Sequence, residues 1–424
     1  MRDMKDSGVE WIGKIPKDWE LTKIGSVYQE RNIKVSDKKY KPLSVTKHGI
    51  VPQLENAAKT DNGDNRKLIK RGDFVINSRS DRRGSCGVSE YEGSCSLINT
   101  VLQPRKDVNN SYYGFVFRSE CFADEFYRWG NGIVDDLWST KWSSMKRIYI
   151  PAPSLEEQCC IADYLKKKCK EIDDIIVKQQ KIIEKLNVYK QSIITETVTK
   201  GLNSDVELKD SEIEFIGEIP STWKVCRLRN IGVPQNGISK GGEFFGHGYP
   251  FVSYGDVYRN YTLPIHFDGL IDTTDNERKD YSVEKGDIFF TRTSETVEEV
   301  GFSSVCEKTI PNATFAGFVI RVRPFDDTLF AGYSKYYFRS SHHRAFLVKE
   351  MNLVTRASLG QDLLKSMPVL VPPMGEQKEI AKFLDRKCSA IDDAIETKQK
   401  IIHKMVLYKK SLIYEIVTGK REVK

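Results

Sequence analysis

Two short loops carry the side chains best suited to chemistry. One reads Asn77-Ser78-Arg79-Ser80-Asp81-Arg82-Arg83-Gly84 and the other Thr291-Arg292-Thr293-Ser294. Each follows a Gly-Asp turn (Gly72-Asp73, Gly286-Asp287) and a short apolar strand, and each sets Ser or Thr directly before Arg. An arginine fork can hydrogen-bond guanine twice in the major groove, and Ser, Thr and Asn can bond bases or phosphates. Salt-bridged surface loops are the alternative; recurrence of the feature in two places favours function. Two further segments, Trp138-Ser139-Thr140-Lys141-Trp142 and Asn352-Leu353-Val354-Thr355-Arg356, occupy equivalent places before Pro-led helices. There Lys141, Thr355 and Arg356 join the candidates, the two cations as phosphate partners, while Trp138 and Trp142 read as packing. Asn236 and Lys240, in a Gly-rich loop, complete the set.

The sequence carries no recognisable catalytic motif. Gly-x-x-x-x-Gly-Lys-Ser/Thr, a helix-opening Gly-x-Gly-x-x-Gly, Asn-Pro-Pro-aromatic and Gly-x-Ser-x-Gly are all missing. Nine cysteines are scattered without a Cys-x-x-Cys pair, and six histidines form no convincing ligand set, so no metal is expected. Asp173-Asp174 and Asp392-Asp393 fall in helical stretches, as solvated charges or partner contacts.

Composition sets the background for these loops. The 424 residues are 39% hydrophobic and 29% charged, with 66 basic against 59 acidic side chains, net +7. That excess is compatible with nucleic acid without specifying it. No apolar run approaches the roughly 20 residues of a membrane span, and the start lacks the apolar core of a signal peptide. A cytoplasmic protein without membrane partners is expected.

The elements that must position the loops occur twice. Trp11-Ile12-Gly13-Lys14-Ile15-Pro16-Lys17-Asp18-Trp19 returns as Phe215-Ile216-Gly217-Glu218-Ile219-Pro220-Ser221-Thr222-Trp223, and Lys5-Asp6-Ser7 returns as Lys209-Asp210-Ser211. Glu157-Gln158, Ile161-Ala162 and Ile172-Asp173-Asp174 return as Glu376-Gln377, Ile380-Ala381 and Ile391-Asp392-Asp393. Each copy opens with a globular α+β part. Strands are expected at 74–76, 100–102, 288–290 and 318–322, in a twisted, curled sheet. Tyr112 to Trp129 and Tyr333 to Lys349 are expected to be helical, and each includes Phe-Arg-Ser (117–119 and 338–340).

Each copy ends in a long heptad helix. Leu165, Ile172, Gln179, Leu186 and Ile193 stand seven apart, with Ile175, Ile182 and Tyr189 between them. Leu384, Ile391, Lys398, Met405 and Leu412 repeat the register, with Ala394, Ile401 and Tyr408 between. Ser154-Leu155-Glu156-Glu157 has capping-box spacing, and Gly201 and Gly419 end the helices. A helix over about 155–200 would be roughly 70 Å long. Two such helices can bury their seams against each other, with Gln179 and Lys398 meeting near a pseudo-dyad. Asp at Leu165 and Leu384 would then break the rod and leave the globular parts folded.

The ordered, duplicated set of Ile-Pro-x-x-Trp openings, Gly-Asp strands, Pro-led Glu-Gln-x-x-Ile-Ala helices and Ile-Asp-Asp segments resembles the specificity subunit of type I restriction–modification systems. The resemblance covers essentially the whole chain. It implies an α+β fold with a pseudo-twofold internal repeat: two target recognition domains (1–153 and 204–373) separated by two conserved helices (154–203 and 374–424) in an antiparallel coiled coil. It implies a non-catalytic subunit that binds a bipartite, asymmetric double-stranded DNA site. It also implies docking of two methyltransferase subunits, which use S-adenosylmethionine, and of motor-nuclease subunits, which use ATP and Mg²⁺. A protein-only helical scaffold, and a nuclease or methyltransferase with an unrecognised site, are the competing readings. The loops differ between copies, Asp81-Arg82-Arg83-Gly84 against Glu295-Thr296-Val297-Glu298, which predicts two unlike half-sites.

Overall fold

A computed structural model describes residues 2–53, 63–79, 82–105, 108–132, 138–294, 300–350 and 357–423. The chain divides into two compact units, residues 1–180 with 399–424, and residues 181–398. Both long helices are therefore shared: each unit takes a segment from each.

The first unit holds a four-stranded antiparallel sheet in the order Cys86–Val88, Phe74–Asn77, Asn99–Pro104, Tyr28–Glu30. The second repeats it as Ser303–Val305, Ile288–Thr291, Val319–Pro324, Gly232–Asn236. Phe74 pairs with Leu102 and Ile288 with Val322, so the registers match. The central strands Phe74–Asn77 and Ile288–Thr291 are buried on both faces, which explains why they read as unbroken apolar runs rather than alternating ones.

The expected helical stretches are helical, and each is two helices. Asn110–Arg118 is followed by Glu120–Arg128, and Ala331–Tyr337 by Ser341–Glu350. The break falls at the repeated Phe-Arg-Ser. Ser119 is buried, its hydroxyl donates to the Val116 carbonyl, and it accepts from the Phe122 amide as an N-cap. A serine that satisfies one helix end and starts the next lets the chain turn without orphaned backbone groups.

The long helices run Leu155–Lys200 and Met374–Val417. In the first unit Lys409 donates to Asp173 at 2.7 Å, and in the second Lys190 donates to Asp392 at 2.6 Å. As the first helix advances, its partners in the second retreat, so the pairing is antiparallel. Leu165, Ile172, Leu384, Ile391 and Leu412 are buried in the seam, while Gln179, Leu186, Ile193, Lys398 and Met405 are half-buried. Four of the six intervening positions are corrected, while Ala394 and Ile401 are half-buried. Ile175, Ile182, Tyr189 and Tyr408 are exposed, and Cys169, Ile183, Cys388 and Ile416 are buried instead. The helix returns to its seam four residues after Leu165, not three. Adjacent isoleucines at 175–176, 182–183 and 401–402 left both phases equally apolar in sequence.

The repeated tryptophans lock these helices to their units. Trp19 and Trp223 are buried, and their indoles donate to Glu157 at 2.8 Å and Glu376 at 2.9 Å. Ser154 caps the first helix by accepting from the Glu157 amide, but Glu157 turns to Trp19 and Arg2 rather than closing the capping box. Gln158 and Gln377 then bridge outward, to the Asn109 amide and Pro153 carbonyl, and to the Phe330 amide and Pro372 carbonyl. Gly201 and Gly419 have φ of +75° and +71°, left-handed C-caps that a side chain would strain. Leu165 and Leu412 sit in one core with Trp11, Phe74 and Phe117, and Leu384 in another with Trp223, Phe290 and Tyr333. The helices are thus parts of the unit cores, which overturns the expectation that Asp at 165 or 384 would leave the globular parts intact.

Candidate nucleic-acid interface

The Gly-Asp turns are locks for the strands that lead to the loops. Gly72 has φ of +87° and Gly286 of +93°, a region that favours glycine. Asp73 accepts from the Lys70 amide at 2.8 Å and from Arg31 at 2.7 and 3.0 Å. Asp287 accepts from the Glu284 amide at 2.8 Å and from Arg323 twice at 2.7 Å. Both carboxylates are buried, and a fork-on-carboxylate bond of this kind fixes orientation as well as charge. Arg31 lies just past the strand Tyr28–Glu30 and Arg323 on the strand Val319–Pro324, yet each binds the carboxylate of its Gly-Asp turn.

In the first unit, the loop beyond the strand is held by its own backbone. Asn77 is buried and its side-chain oxygen accepts from the Arg79 amide at 3.0 Å. Ser78 donates to the Ile98 carbonyl at 2.5 Å and its own carbonyl accepts from Thr140 at 2.9 Å. The Arg79 carbonyl accepts from the Tyr127 hydroxyl at 3.0 Å. Arg79 itself is exposed at the rim of an open cleft of about 610 Å³, with Ser78, Ser139, Lys141, Trp142 and Lys146. Lys67 also lines it but pairs with Glu30 at 3.3 Å and the Asn99 carbonyl at 2.9 Å. Arg79, Lys141 and Lys146 leave the cleft cationic, with hydroxyls between the charges. That arrangement can hold a phosphate and present an arginine fork to a base edge.

Of the candidates, Ser78, Arg79 and Lys141 line one cleft, and Ser139, Ser143 and Lys146 line it with them. Lys146 follows Trp142 by one helical turn, a spacing that the short helix Trp142–Met145 makes visible only once it is formed. Asn77 is a backbone brace rather than a reader. Arg83 pairs with Asp124, and Arg82 is exposed beside it. Trp138 packs, its indole donating to the Tyr127 carbonyl at 2.8 Å. Ser80 lies outside the described residues.

The second unit builds the same loop frame with different side chains. The Arg292 amide donates to the Phe318 carbonyl as Ser78 does to Ile98, and its carbonyl accepts from Leu359 as that of Ser78 does from Thr140. Thr293 pairs with Ser358 as Arg79 pairs with Ser139. Arg292 thus stands where Ser78 stands, and Thr293 where Arg79 stands; the two arginines are offset by one residue. The same alignment sets Gly360, not Arg356, opposite Lys141. Thr291 is buried, its hydroxyl accepting from the Phe302 amide at 2.9 Å. Lys240 is held by Glu277 at 2.7 Å and the Asp272 carbonyl at 2.9 Å, and this bond lowers the Glu277 carboxyl below its usual range. Lys240 is an internal brace, not a phosphate partner. Asn236 is half-buried on the strand Gly232–Asn236. Thr355 and Arg356 lie outside the described residues.

Among the described residues, no cluster of His, Cys, Asp and Glu could hold a metal ion, and no helix is long and apolar enough to cross a membrane.

A family model for the type I restriction modification DNA specificity domain matches residues 220–404. The type I restriction enzyme MjaVIII specificity subunit of Methanocaldococcus jannaschii is 25% identical over 97% of this chain and 95% of its own length. The EcoKI specificity subunit of Escherichia coli K12 is 24% identical over 91% of this chain and 85% of its own. A solved chain from a study of complex assembly and conformational transition in a type I restriction–modification system shares the fold, with a TM-score of 0.73 at 14% identity, covering 96% of this chain and 99% of that one.

Proposed function

We infer that this chain, whose family signature, relatives and fold are those of a type I restriction–modification specificity subunit, reads a DNA site in two unlike parts. It is the sequence-recognition component and not the catalyst. Each unit presents one loop frame to one half-site, and the observation that carries the reading is the offset within that frame. Ser78 and Arg79 in the first unit are answered by Arg292 and Thr293 in the second, on backbones bonded alike. One scaffold with exchanged donors suits two different base sequences. The cationic cleft of the first unit supplies the phosphate contacts that fix register on the duplex.

Methyl transfer, with its S-adenosylmethionine, then belongs to two docked methyltransferase subunits, and ATP- and Mg²⁺-dependent cleavage to motor-nuclease subunits. Apolar side chains exposed on the long helices, such as Val188 and Leu407 at 71% and 50% exposure, support protein docking there.

Co-expression with a type I methyltransferase subunit, followed by genome-wide mapping of methylated adenines, tests the reading. A two-part motif is expected. Arg79→Ala should relax one position in one half by about 1–3 kcal/mol. A uniform loss across all sequences would make Arg79 a phosphate contact, and methylation without sequence preference would sink the assignment.

A further inference from the structure

The second unit holds an aromatic ring out beside its arginine. Phe318 is 65% exposed, although it sits in a tight turn. The Val319 amide closes that turn on the Ala316 carbonyl at 2.9 Å, and Phe315 and Val319 on either side are fully buried. Gly317 lets the turn press against its neighbour: a β-carbon there would lie 2.2 Å from the Ser239 hydroxyl. The Phe318 carbonyl accepts from the Arg292 amide, and the Arg292 guanidinium reaches the Gly317 carbonyl at 3.4 Å. The backbone of Phe318 is thus fixed next to that of Arg292, and its ring is left largely exposed.

Its counterpart in the first unit is Ile98, whose carbonyl accepts from Ser78 and which lines the cationic cleft. An apolar residue recurs at the same point of both frames, and in the first it shares the cleft with Ser78 and Arg79. Apolar contact is how a protein reads the 5-methyl group of thymine in the major groove, where an adjacent arginine can take guanine.

We propose that Phe318 is a specificity-determining residue of the second unit, which contacts a thymine methyl beside the base read by Arg292. The inference rests on the DNA-reading function above and goes beyond it in assigning one residue to one chemical group. A protein-binding role for the ring would predict no dependence on base methylation state at all.

The test uses the full chain co-purified with its methyltransferase and duplexes carrying the mapped site, with each thymine of the half-site replaced in turn by uracil, which lacks only the methyl. Wild type should lose about four- to tenfold in affinity at one thymine, the scale of one or two buried carbon groups. Phe318→Ala should lose a similar factor on the thymine duplex and nothing further on the uracil duplex. Phe318→Leu should keep part of the sensitivity, and the other half-site should be unmoved in every case. If wild type is sequence-selective but Phe318→Ala binds and discriminates as wild type does, or stays equally sensitive to uracil, the assignment of Phe318 falls alone. If wild type binds the uracil duplexes as it binds the thymine duplex but still rejects a scrambled site, the assignment of Phe318 again falls alone; if it binds a scrambled duplex as tightly as the mapped site, the DNA reading falls and takes this with it.

Discussion

Replacing Asp73 with Ala should cost the first unit more than any surface change, because of what it leaves behind. Asp73 is 2% exposed and its partner Arg31 is 10% exposed. The substitution removes the acceptor for the Lys70 amide and for two Arg31 donors at 2.7 and 3.0 Å. A guanidinium stranded in that position is a buried unpaired charge, for which the cost is about 3–5 kcal/mol. For a unit of roughly two hundred residues this corresponds to a fall in Tm of about 6–20 °C. Asp73→Asn keeps one acceptor and loses the charge, so about 1.5–3 kcal/mol is expected. Calorimetry of the full chain reads both, and only the transition of residues 1–180 with 399–424 should move. A drop below 1 kcal/mol for the alanine variant, or an equal shift of both units, would refute the view that the Gly-Asp turn is held by its buried ion pair.

Lys240→Ala removes an internal brace, so DNA affinity should stay within about twofold and its salt dependence should not change, as a titration at several salt concentrations would show. A slope reduced by about one would restore Lys240 to the phosphate contacts. His343 is buried among Phe290, Tyr337 and Phe338, and burial lowers its pKa from 6.5 to about 3. Below pH 6.5 the unfolded chain therefore binds a proton that the folded chain refuses, so stability falls as pH drops from 6.5 towards 3. His343→Phe should flatten that loss by up to about 1.4 kcal/mol per pH unit in denaturant midpoints measured between pH 4 and 7. Leu165→Asp places a carboxylate in a fully buried core position, and should unfold the first unit rather than merely part the helices; retained calorimetric cooperativity of that unit would contradict this.

The duplication was legible because its anchors are large and repeated: Trp19 and Trp223, Glu157 and Glu376, the Gly-Asp turns. Buried indoles and turn glycines leave a mark in sequence because few residues can replace them. The seam was half legible. Period gave the two helices, but neighbouring isoleucines hid which of two phases faces inward. The site was less legible still. Ser78-Arg79 and Thr291-Arg292 look alike as strings, yet Arg79 stands six residues past Asp73 and Arg292 five past Asp287; the spacing carried the offset, and the matched strand registers give it its meaning in space. Lys240 looked free in a Gly-rich loop because its partner Glu277 is remote in sequence. Lys146 was missed because nothing near it in the chain shows that it shares a cleft with Arg79.

The division of the long helices has a consequence for biosynthesis. Residues 181–398 form one contiguous stretch, whereas the other unit draws Leu412, Ile416 and Val417 into the core built around Trp11 and Trp19. On the ribosome, the later half of the message can therefore yield a finished body before the earlier half can. The amino-terminal portion must wait, its apolar core open, until the last helix emerges to close it. That waiting interval is where a chaperone would be needed and where a truncated transcript would be most damaging.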